Sequence, residues 1–482
     1  MRVVISAALS AAMFYLSQGL DDAWALAWLA PAPLLWLAFG ETPPWRLFAA
    51  SFVAFLAGEI YDLQCYAEDL PLGLLALLMG LQAILFAFAV LFARFVRRRL
   101  NPFAALLALP ACWTAVEYLV SLVSPHGSFG SIAYSQMSAP LLIQSASLFG
   151  MYSITFLICL FASALALAAR PGRGALAAAG AALVLCALDV AFGAARLSAP
   201  QPASQPKLLR VAALDDVAAR TRTRGTDTAQ ASLAAALAYA ADVRQAAGQG
   251  ARLVVTPEGG LAVRGAWLAA ATAPLAEASG QTGAQVVAGI YERAPAGDIA
   301  IAFAPDGSRR VYAKRHLLLP LEAEFTPGAG PGLLGAGLAV AICKDMDFPR
   351  TLRHDSLTAP EPIRLMAVPA GDFVADGWLH ARMAILRGVE NGFAVVRAAH
   401  RGLLTVSDAQ GRLIAWKGEG PHGLDVIAAD VPLGPGPTLY TRIGDVLPWA
   451  SLALTLCLGA GAGLRRRSDR GARTVQAGPR PG

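Results

Sequence analysis

The chain has 482 residues, of which 56% are hydrophobic and 15% are charged. Soluble globular proteins usually contain about 45–50% apolar and about 25% charged residues, so this composition excludes a wholly soluble protein. The formal net charge of +6 does not indicate nucleic-acid binding, because the polar part of the chain has no basic stripe interleaved with aromatic residues.

Long apolar runs fill the first part of the chain. A helix needs roughly 17–25 predominantly apolar residues to cross a bilayer. Seven runs of about this length lie near residues 3–20, 24–40, 46–62, 70–95, 103–123, 148–169 and 175–194, and an eighth lies near 446–463. The sequence therefore predicts a membrane helical bundle of about eight transmembrane helices. Seven of them form a domain over residues 1–197, and the last spans residues 443–465.

Arginine clusters predict the orientation of these helices, because Lys and Arg are retained on the cytoplasmic side. The clusters at 97–99, at 170 and 173, and at 465–467 all follow even-numbered spans. Both termini are then expected in the cytoplasm, with a basic tail over residues 466–482. The polar segment between the seventh and eighth spans is expected on the outer side of the membrane.

Residues 207–435 form this polar segment, in which strand-like and helical patterns alternate. LLRVAAL, QVVAGIYER and LAVAIC are predicted to be strands, and runs such as LAVAIC that are apolar throughout are typical of strands buried on both faces. DTAQASLAAALAYAADVRQAA and WLHARMAILRGVENG have the periodicity of amphipathic helices. The pattern predicts one α/β layered domain.

Three polar residues close strand-like runs of this domain: Glu258 in RLVVTPE, Lys314 in VYAKRHLLLP and Cys343 in LAVAIC. Ligands bind at strand ends in layered α/β folds, so the three side chains are expected to meet there. A thiol becomes a nucleophile as a thiolate, a carboxylate can take its proton, and an ammonium can stabilise an oxyanion. Together they suit acyl transfer.

Each of these residues also has a structural explanation. Cys343 is the one cysteine of the polar segment, so it has no partner there for a disulfide, but it also suits simple packing after a strand. Lys314 suits a solvated hairpin edge, and Glu258 suits a turn before two glycines. No set of His and Cys residues has zinc-ligand spacing, so neither a metal nor another cofactor is expected.

The order and flanks of the three residues favour catalysis. VVTPEGG, YAKRHLLLPLEAEFTPG and CKDMDFP resemble the Glu, Lys and Cys motifs of the nitrilase superfamily. LAWLAPAPLLWLAF, GSIAYSQMSAPLLIQSASLFGMYSITFLI and GPTLYTRIGDVLPW are similar to stretches of the apolipoprotein N-acyltransferase family. The resemblance covers nearly the whole chain.

This resemblance implies an αββα sandwich inserted into the helical bundle, in the inner membrane of a bacterium and with the sandwich in the periplasm. It implies that Cys343 takes an acyl chain from a membrane phospholipid as a thioester and passes it to the amine of a diacylglyceryl lipoprotein. Glu258 is then the base and Lys314 the oxyanion donor. Glu324, in preference to Glu322, is expected to position Lys314 and the substrate.

Some positions depart from the family pattern. Thr256 stands where a Trp is usual, Phe373 where another Trp is expected, and Lys344 and Asp345 replace Tyr and Glu after the cysteine. Asp345 retains a carboxylate there, and Asp345 and Phe373 are expected to support or position the substrate. CKDMDFP is equally close to soluble amidases, so a membrane-tethered amidase is the alternative. A transporter or lipid-binding scaffold is disfavoured because the sequence shows no internal repeat.

Overall fold

The computed structural model describes residues 1–170, 172–199, 208–373, 375–418, 420 and 423–476, with side chains as far as residue 465. The predicted start of the polar segment at residue 207, the side chains of the predicted basic tail and residues 477–482 lie outside the described part.

The described part of residues 1–198 consists mainly of helices joined by short segments. The helices are α1 (Arg2–Gln18), α2 (Ala32–Ala38), α3 (Pro44–Gly58), α4 (Tyr61–Tyr66), α5 (Leu72–Arg97), α6 (Pro102–Val123), α7 (Ala146–Phe149), α8 (Tyr152–Ala168) and α9 (Arg173–Ser198). Local chemistry sets the start of α6, where the Asn101 side chain accepts a 2.9 Å hydrogen bond from the Ala104 N–H and Pro102 occupies the first turn. The Phe55 and Phe86 rings stack, and Phe14 meets both of them edge to face, which packs α1, α3 and α5 into one core.

Five helical segments of the described chain are long and apolar enough to cross a membrane: Pro44–Tyr66, Leu72–Arg97, Pro102–Val123, Arg173–Ser198 and Val446–Arg465. The first, second and sixth predicted spans fall instead on shorter apolar helices. The second is interrupted before Ala32, because Pro31 has no N–H to continue a helical ladder. The membrane helical bundle is confirmed, whereas the number of eight spans stays a prediction.

The polar segment forms two β-sheets. Its strands are β1 (Leu208–Asp216), β2 (Leu253–Val255), β3 (Leu261–Val263), β4 (Gln285–Arg293), β5 (Ala296–Phe303), β6 (Arg309–Ala313), β7 (Gly332–Gly335), β8 (Leu338–Val340), β9 (Leu365–Gly371), β10 (Ala394–His400), β11 (Leu403–Ser407), β12 (Leu413–Gly418) and β13 (Leu424–Pro432). One sheet has the order β13-β1-β2-β4-β5-β6, with β3 also paired to β4, and the other has the order β12-β11-β10-β9-β8-β7. In the first, β1, β2 and β4 run parallel, and in the second, β8, β9 and β10 do.

The two sheets pack face to face between helices. The helices are α10 (Val217–Arg224), α11 (Ala229–Gly248), α12 (Leu268–Thr282), α13 (Pro349–Thr358) and α14 (Gly377–Asn391). Val255 and Val287 of one sheet share a buried cluster with Val340 and Val396 of the other. Helices α11 and α12 cover the outer face of the first sheet, and α13 and α14 that of the second. The predicted αββα sandwich is confirmed, and its apolar strands are buried on both faces because both faces carry a neighbouring layer.

Helix α14 also joins the sandwich to the helical bundle. Its Met383, Leu386 and Val389 belong to the buried cluster of the bundle helices. Glu390 accepts a 2.7 Å hydrogen bond from the Met151 backbone N–H, just before α8 begins. After the sandwich, α15 (Leu439–Ile443) leads to α16 (Val446–Gln476). The sandwich is therefore held against the bundle by packed side chains as well as by its two chain connections.

Candidate active site

Lys314 lies directly after β6, at the centre of three carboxylates. Its Nζ is 2.5 Å from Glu258 Oε1, 2.6 Å from Glu322 Oε1 and 3.3 Å from Asp298 Oδ2. Glu258 follows β2, Asp298 lies within β5, and Glu322 lies in the turn beyond Lys314. The three carboxylates are close enough together to hold a cation, and the Lys314 ammonium is the cation they surround.

The charges of this cluster follow from its burial. Burial acts to raise the pKa of Glu258, but the Lys314 charge and a hydrogen bond with Asp298 outweigh it and lower that pKa to about 2. Burial and the charge of Glu258 raise the pKa of Asp298 well above its ordinary value. Burial also disfavours the charged form of Lys314, but Glu258 and Asp298 raise its pKa well above its ordinary value. At neutral pH the cluster therefore holds a charged Lys314 and an ionised Glu258, whereas burial and the Glu258 charge favour the neutral form of Asp298.

Cys343 begins a turn instead of ending a strand. Strand β8 ends at Val340, and Cys343 has a φ of +42°, which is uncommon for a residue with a side chain and is found preferentially at functional sites. Its Sγ donates a 3.3 Å hydrogen bond to the Gly371 carbonyl oxygen at the end of β9. Burial and the charge of Glu258 raise the pKa of the thiol well above its ordinary value, and Lys314 opposes them. The resting sulfur is a thiol, so it needs a base before it can attack.

Asp345 holds the lysine segment against the cysteine turn. Its carboxylate accepts hydrogen bonds from the Tyr312 hydroxyl at 2.7 Å and from the backbone N–H groups of Arg315 and His316 at 3.2 and 3.0 Å. Burial acts to raise the pKa of Asp345, but its hydrogen bonds with His316 and Tyr312 lower it. Asp345 is therefore an ionised, fully buried anchor that sets the relative position of the two segments.

A cavity of about 620 Å³ connects this cluster with the helical bundle. Glu258, Lys314 and Cys343 line its polar end. The apolar residues on its wall from α5, α6 and the loop after α6 are Leu75, Leu78, Met79, Leu81, Leu85, Val120, Val123, Pro125 and Phe129. A cavity with a reactive thiol at one end and an aliphatic wall along its side suits a substrate with a long hydrocarbon chain.

Two family models match this chain. That of the apolipoprotein N-acyltransferase N-terminal domain matches residues 10–164, and that of carbon-nitrogen hydrolase matches residues 217–434. The apolipoprotein N-acyltransferase of Geobacter metallireducens is 27% identical to it, over 97% of this chain and 96% of the relative. That of Vibrio vulnificus is 24% identical, over 94% of this chain and 96% of the relative. The chain belongs to the apolipoprotein N-acyltransferase family.

Solved structures that are similar to this chain cover about half of its length. A mutant of the Nesterenkonia AN1 amidase from the nitrilase superfamily is 23% identical, with a TM-score of 0.39, over 47% of this chain and 92% of the amidase. A carbon-nitrogen hydrolase from Helicobacter pylori is 16% identical, with a TM-score of 0.38, over 46% of this chain and 89% of that hydrolase.

The structure contradicts the expected contact between Glu324 and Lys314. Glu322 makes that contact, and its second oxygen accepts a 2.7 Å hydrogen bond from the Leu318 N–H. The turn bonds the Glu322 N–H to the Leu318 carbonyl, which directs Glu322 inward. Glu324, two residues on, is exposed and lies on the cavity wall, so its expected part in substrate positioning stays a prediction.

Phe373 lies on the cavity wall, where its ring contacts the Tyr66 ring edge to face at 5.3 Å between centroids. This contact joins the sandwich to the end of the Pro44–Tyr66 segment. Asp345 lies behind the cysteine turn, where it positions backbone and not substrate. The structure thus places Phe373 where the sequence expects a substrate contact and gives Asp345 a structural role.

Asp298 is the carboxylate that sequence reasoning missed. It lies in AGDIAIAF, where it is the one charged residue of β5, and it is 1% exposed. A carboxylate inside a strand that is otherwise apolar indicates a buried charge with an oppositely charged partner, because an unpaired buried charge is strongly destabilising. The partner here is Lys314, which no local pattern connects to β5.

Proposed function

We propose that the chain is an integral membrane N-acyltransferase that moves a fatty acyl chain from a membrane phospholipid to the N-terminal amine of a diacylglyceryl lipoprotein, through a thioester at Cys343. One observation carries this proposal. The cavity that contains the thiol, the carboxylate and the ammonium has its other wall on the helices of the bundle. A soluble amide substrate needs no such wall, whereas a lipid acyl chain does.

The first half-reaction forms the thioester. Glu258 takes the thiol proton as the Cys343 sulfur attacks the ester carbonyl carbon of the phospholipid, and the resulting oxyanion is stabilised by the Lys314 ammonium. The C–O bond to the glycerol then breaks, and the departing alkoxide receives the proton from Glu258. The products are a lysophospholipid and the acyl-Cys343 thioester.

The second half-reaction forms an amide. The uncharged α-amine of the lipoprotein attacks the thioester carbonyl carbon, Glu258 accepts a proton from the nitrogen, and Lys314 again stabilises the oxyanion. The C–S bond breaks, and the sulfur recovers its proton from Glu258. Lipid anchors hold both substrates at the bilayer, so their effective concentration at the cavity is raised without additional contacts.

The proposal places the sandwich in the periplasm and the bundle in the inner membrane. The arginine clusters support this orientation. Arg465 donates a 3.3 Å hydrogen bond to the Arg99 carbonyl, so two of the clusters lie at the same end of the bundle. Arg170, from another of the clusters, donates a hydrogen bond to the Trp36 carbonyl, and Arg98 pairs with Glu41. These two clusters therefore contact the same short segment, between residues 36 and 41.

The test is acyl labelling of the purified, detergent-solubilised chain with phospholipid carrying a labelled acyl chain. We expect a hydroxylamine-sensitive label on Cys343 and its transfer to a diacylglyceryl peptide. C343A should carry no label, whereas C457A, which removes an exposed cysteine of α16, should label like the unaltered chain. Labelled protein that releases only free fatty acid favours a hydrolase, and absence of label with every phospholipid contradicts the proposal.

A further inference from the structure

Lys344 is a buried cation on the wall of the catalytic cavity. It follows Cys343 in the same turn, is 5% exposed, and lies among the cavity residues. Its Nζ lies 3.0 Å from His126 Nδ1, in the loop after α6. In the part of the chain that the structure describes, no carboxylate oxygen lies within 4.0 Å of this ammonium.

His126 does not neutralise this charge. An ammonium can only donate, so His126 Nδ1 must accept and the imidazole is uncharged. Burial and the Lys344 charge agree with this, because they lower the pKa of His126 to about 4. A buried ammonium with one neutral partner is destabilised by its lost hydration, and an anion that enters the cavity would compensate for that loss.

The other cations of the cavity differ in this respect. Lys314 is surrounded by carboxylates, and His380 lies 2.8 Å from an Asp376 oxygen. Arg401 has no partner within the described residues, but it lies at the edge of the cavity and is partly exposed, so water can solvate it. Among the described residues, Lys344 is therefore the buried cation of this cavity with no carboxylate oxygen within 4.0 Å, and Asp347 on the same wall acts on it only at longer range.

We propose that Lys344 binds the phosphate group of the phospholipid acyl donor and thereby positions the donor ester at Cys343. This inference rests on the proposed function, because it assumes a phospholipid donor. Lysine binds phosphate as a point charge. A phosphodiester lies only a few bonds from the acyl ester of the same lipid. The Lys344 ammonium, one residue from the nucleophile, is therefore placed to bind the phosphate of a lipid whose acyl ester contacts the Cys343 thiol.

The test compares two donors with the same acyl chains in the same detergent micelles, a phospholipid and the uncharged 1,2-diacylglycerol. With K344M we expect kcat/KM for thioester formation to fall about 10- to 100-fold with the phospholipid, because a hydrogen bond to a charged group is lost. With diacylglycerol it should change by less than about threefold. K344R, which keeps the charge, should retain part of the phospholipid rate. K417M removes an exposed lysine paired with Asp425 and is the matched control.

Three outcomes would overturn the inference. Equal losses with both donors would make Lys344 a structural residue, and an unchanged phospholipid rate would show that it binds no phosphate. A selective phospholipid defect in R401M but not in K344M would move the phosphate to Arg401. Inorganic phosphate gives a fourth test: at millimolar concentration it should not alter the diacylglycerol rate, and an effect that requires Lys344 would show that the site binds free phosphate, which would also overturn the inference. If neither donor labels the unaltered chain, the proposed function itself fails.

Discussion

Replacement of Glu322 by glutamine tests the ammonium cluster most directly. The Glu322 carboxylate serves two donors, the Lys314 ammonium at 2.6 Å through Oε1 and the Leu318 N–H at 2.7 Å through Oε2. A glutamine amide has one oxygen and an NH₂ group. E322Q therefore leaves one of the two donors without its partner and removes a negative charge beside Lys314.

The size of the effect follows from these contacts. A hydrogen bond to a charged group contributes about 1.5–3 kcal/mol, and about 1.4 kcal/mol corresponds to a factor of ten in rate. Glu258 and Asp298 still hold Lys314 in the variant, so the chain is expected to fold and the ammonium to stay charged. We therefore expect thioester formation to slow about 10- to 100-fold, because the ammonium is less well fixed where the oxyanion forms.

The assay is single-turnover labelling of Cys343 by phospholipid. E324Q is the matched comparison, since Glu324 is exposed and makes no contact with Lys314, and we expect it to slow thioester formation less than E322Q does. E277Q, on the exposed surface of α12, controls for handling. A normal rate in E322Q together with a large loss in E324Q would refute the reasoning and restore Glu324 as the positioning glutamate.

Two further predictions concern the same domain. In G289A, the new Cβ would lie 2.1 Å from the Pro257 carbonyl oxygen and 2.7 Å from Glu258 Cα. We therefore expect thermal unfolding to show a loss of stability of about 1–3 kcal/mol, and labelling of Cys343 to be slower. The control is G297A, whose Cβ would meet its nearest atom at 3.6 Å and which should show neither effect. Burial acts to lower the pKa of His380, but Asp376 outweighs it and raises the pKa to about 9, above the ordinary value of 6.5. Protonated His380 therefore stabilises the fold fully below pH 6.5, and up to about 3 kcal/mol of the free energy of unfolding should be lost as the pH rises through 9. H380Q should be less stable than the unaltered chain at pH 6.5, and its free energy of unfolding should depend less on pH between these values.

Several features of the sandwich could be predicted from local sequence. The apolar strands and the two amphipathic helices are recognisable because the periodicity of buried positions is a local property. Strand ends were less accurate, since β2 and β8 stop three residues before Glu258 and Cys343, respectively. Both functional residues lie in turns. The ends of the two strands are hard to locate from sequence because the apolar residues continue beyond the last paired residue.

The membrane part shows a different limit. Run length and hydropathy identify apolar helices, but they do not reveal that the run near 24–40 is broken into a 3-10 helix and a short α-helix. Such a break is tolerated because neighbouring segments satisfy its polar groups; the Trp24 carbonyl, for example, accepts a 3.0 Å hydrogen bond from Gln136 Nε2. That contact joins residues 112 positions apart, so no local window contains it.

The class of this protein and the order of its reactive residues can be predicted from the sequence, because composition, hydropathy and motif flanks are local properties of the chain. The carboxylates that reach Lys314 are evident only in the folded chain, where Glu322 and Asp298 join Glu258, and the same is true of the helices that form the cavity wall. The neighbours of a side chain depend on how turns and layers direct it, and no local window contains that information. A two-residue difference within one turn is enough to exchange a buried ion pair for an exposed carboxylate.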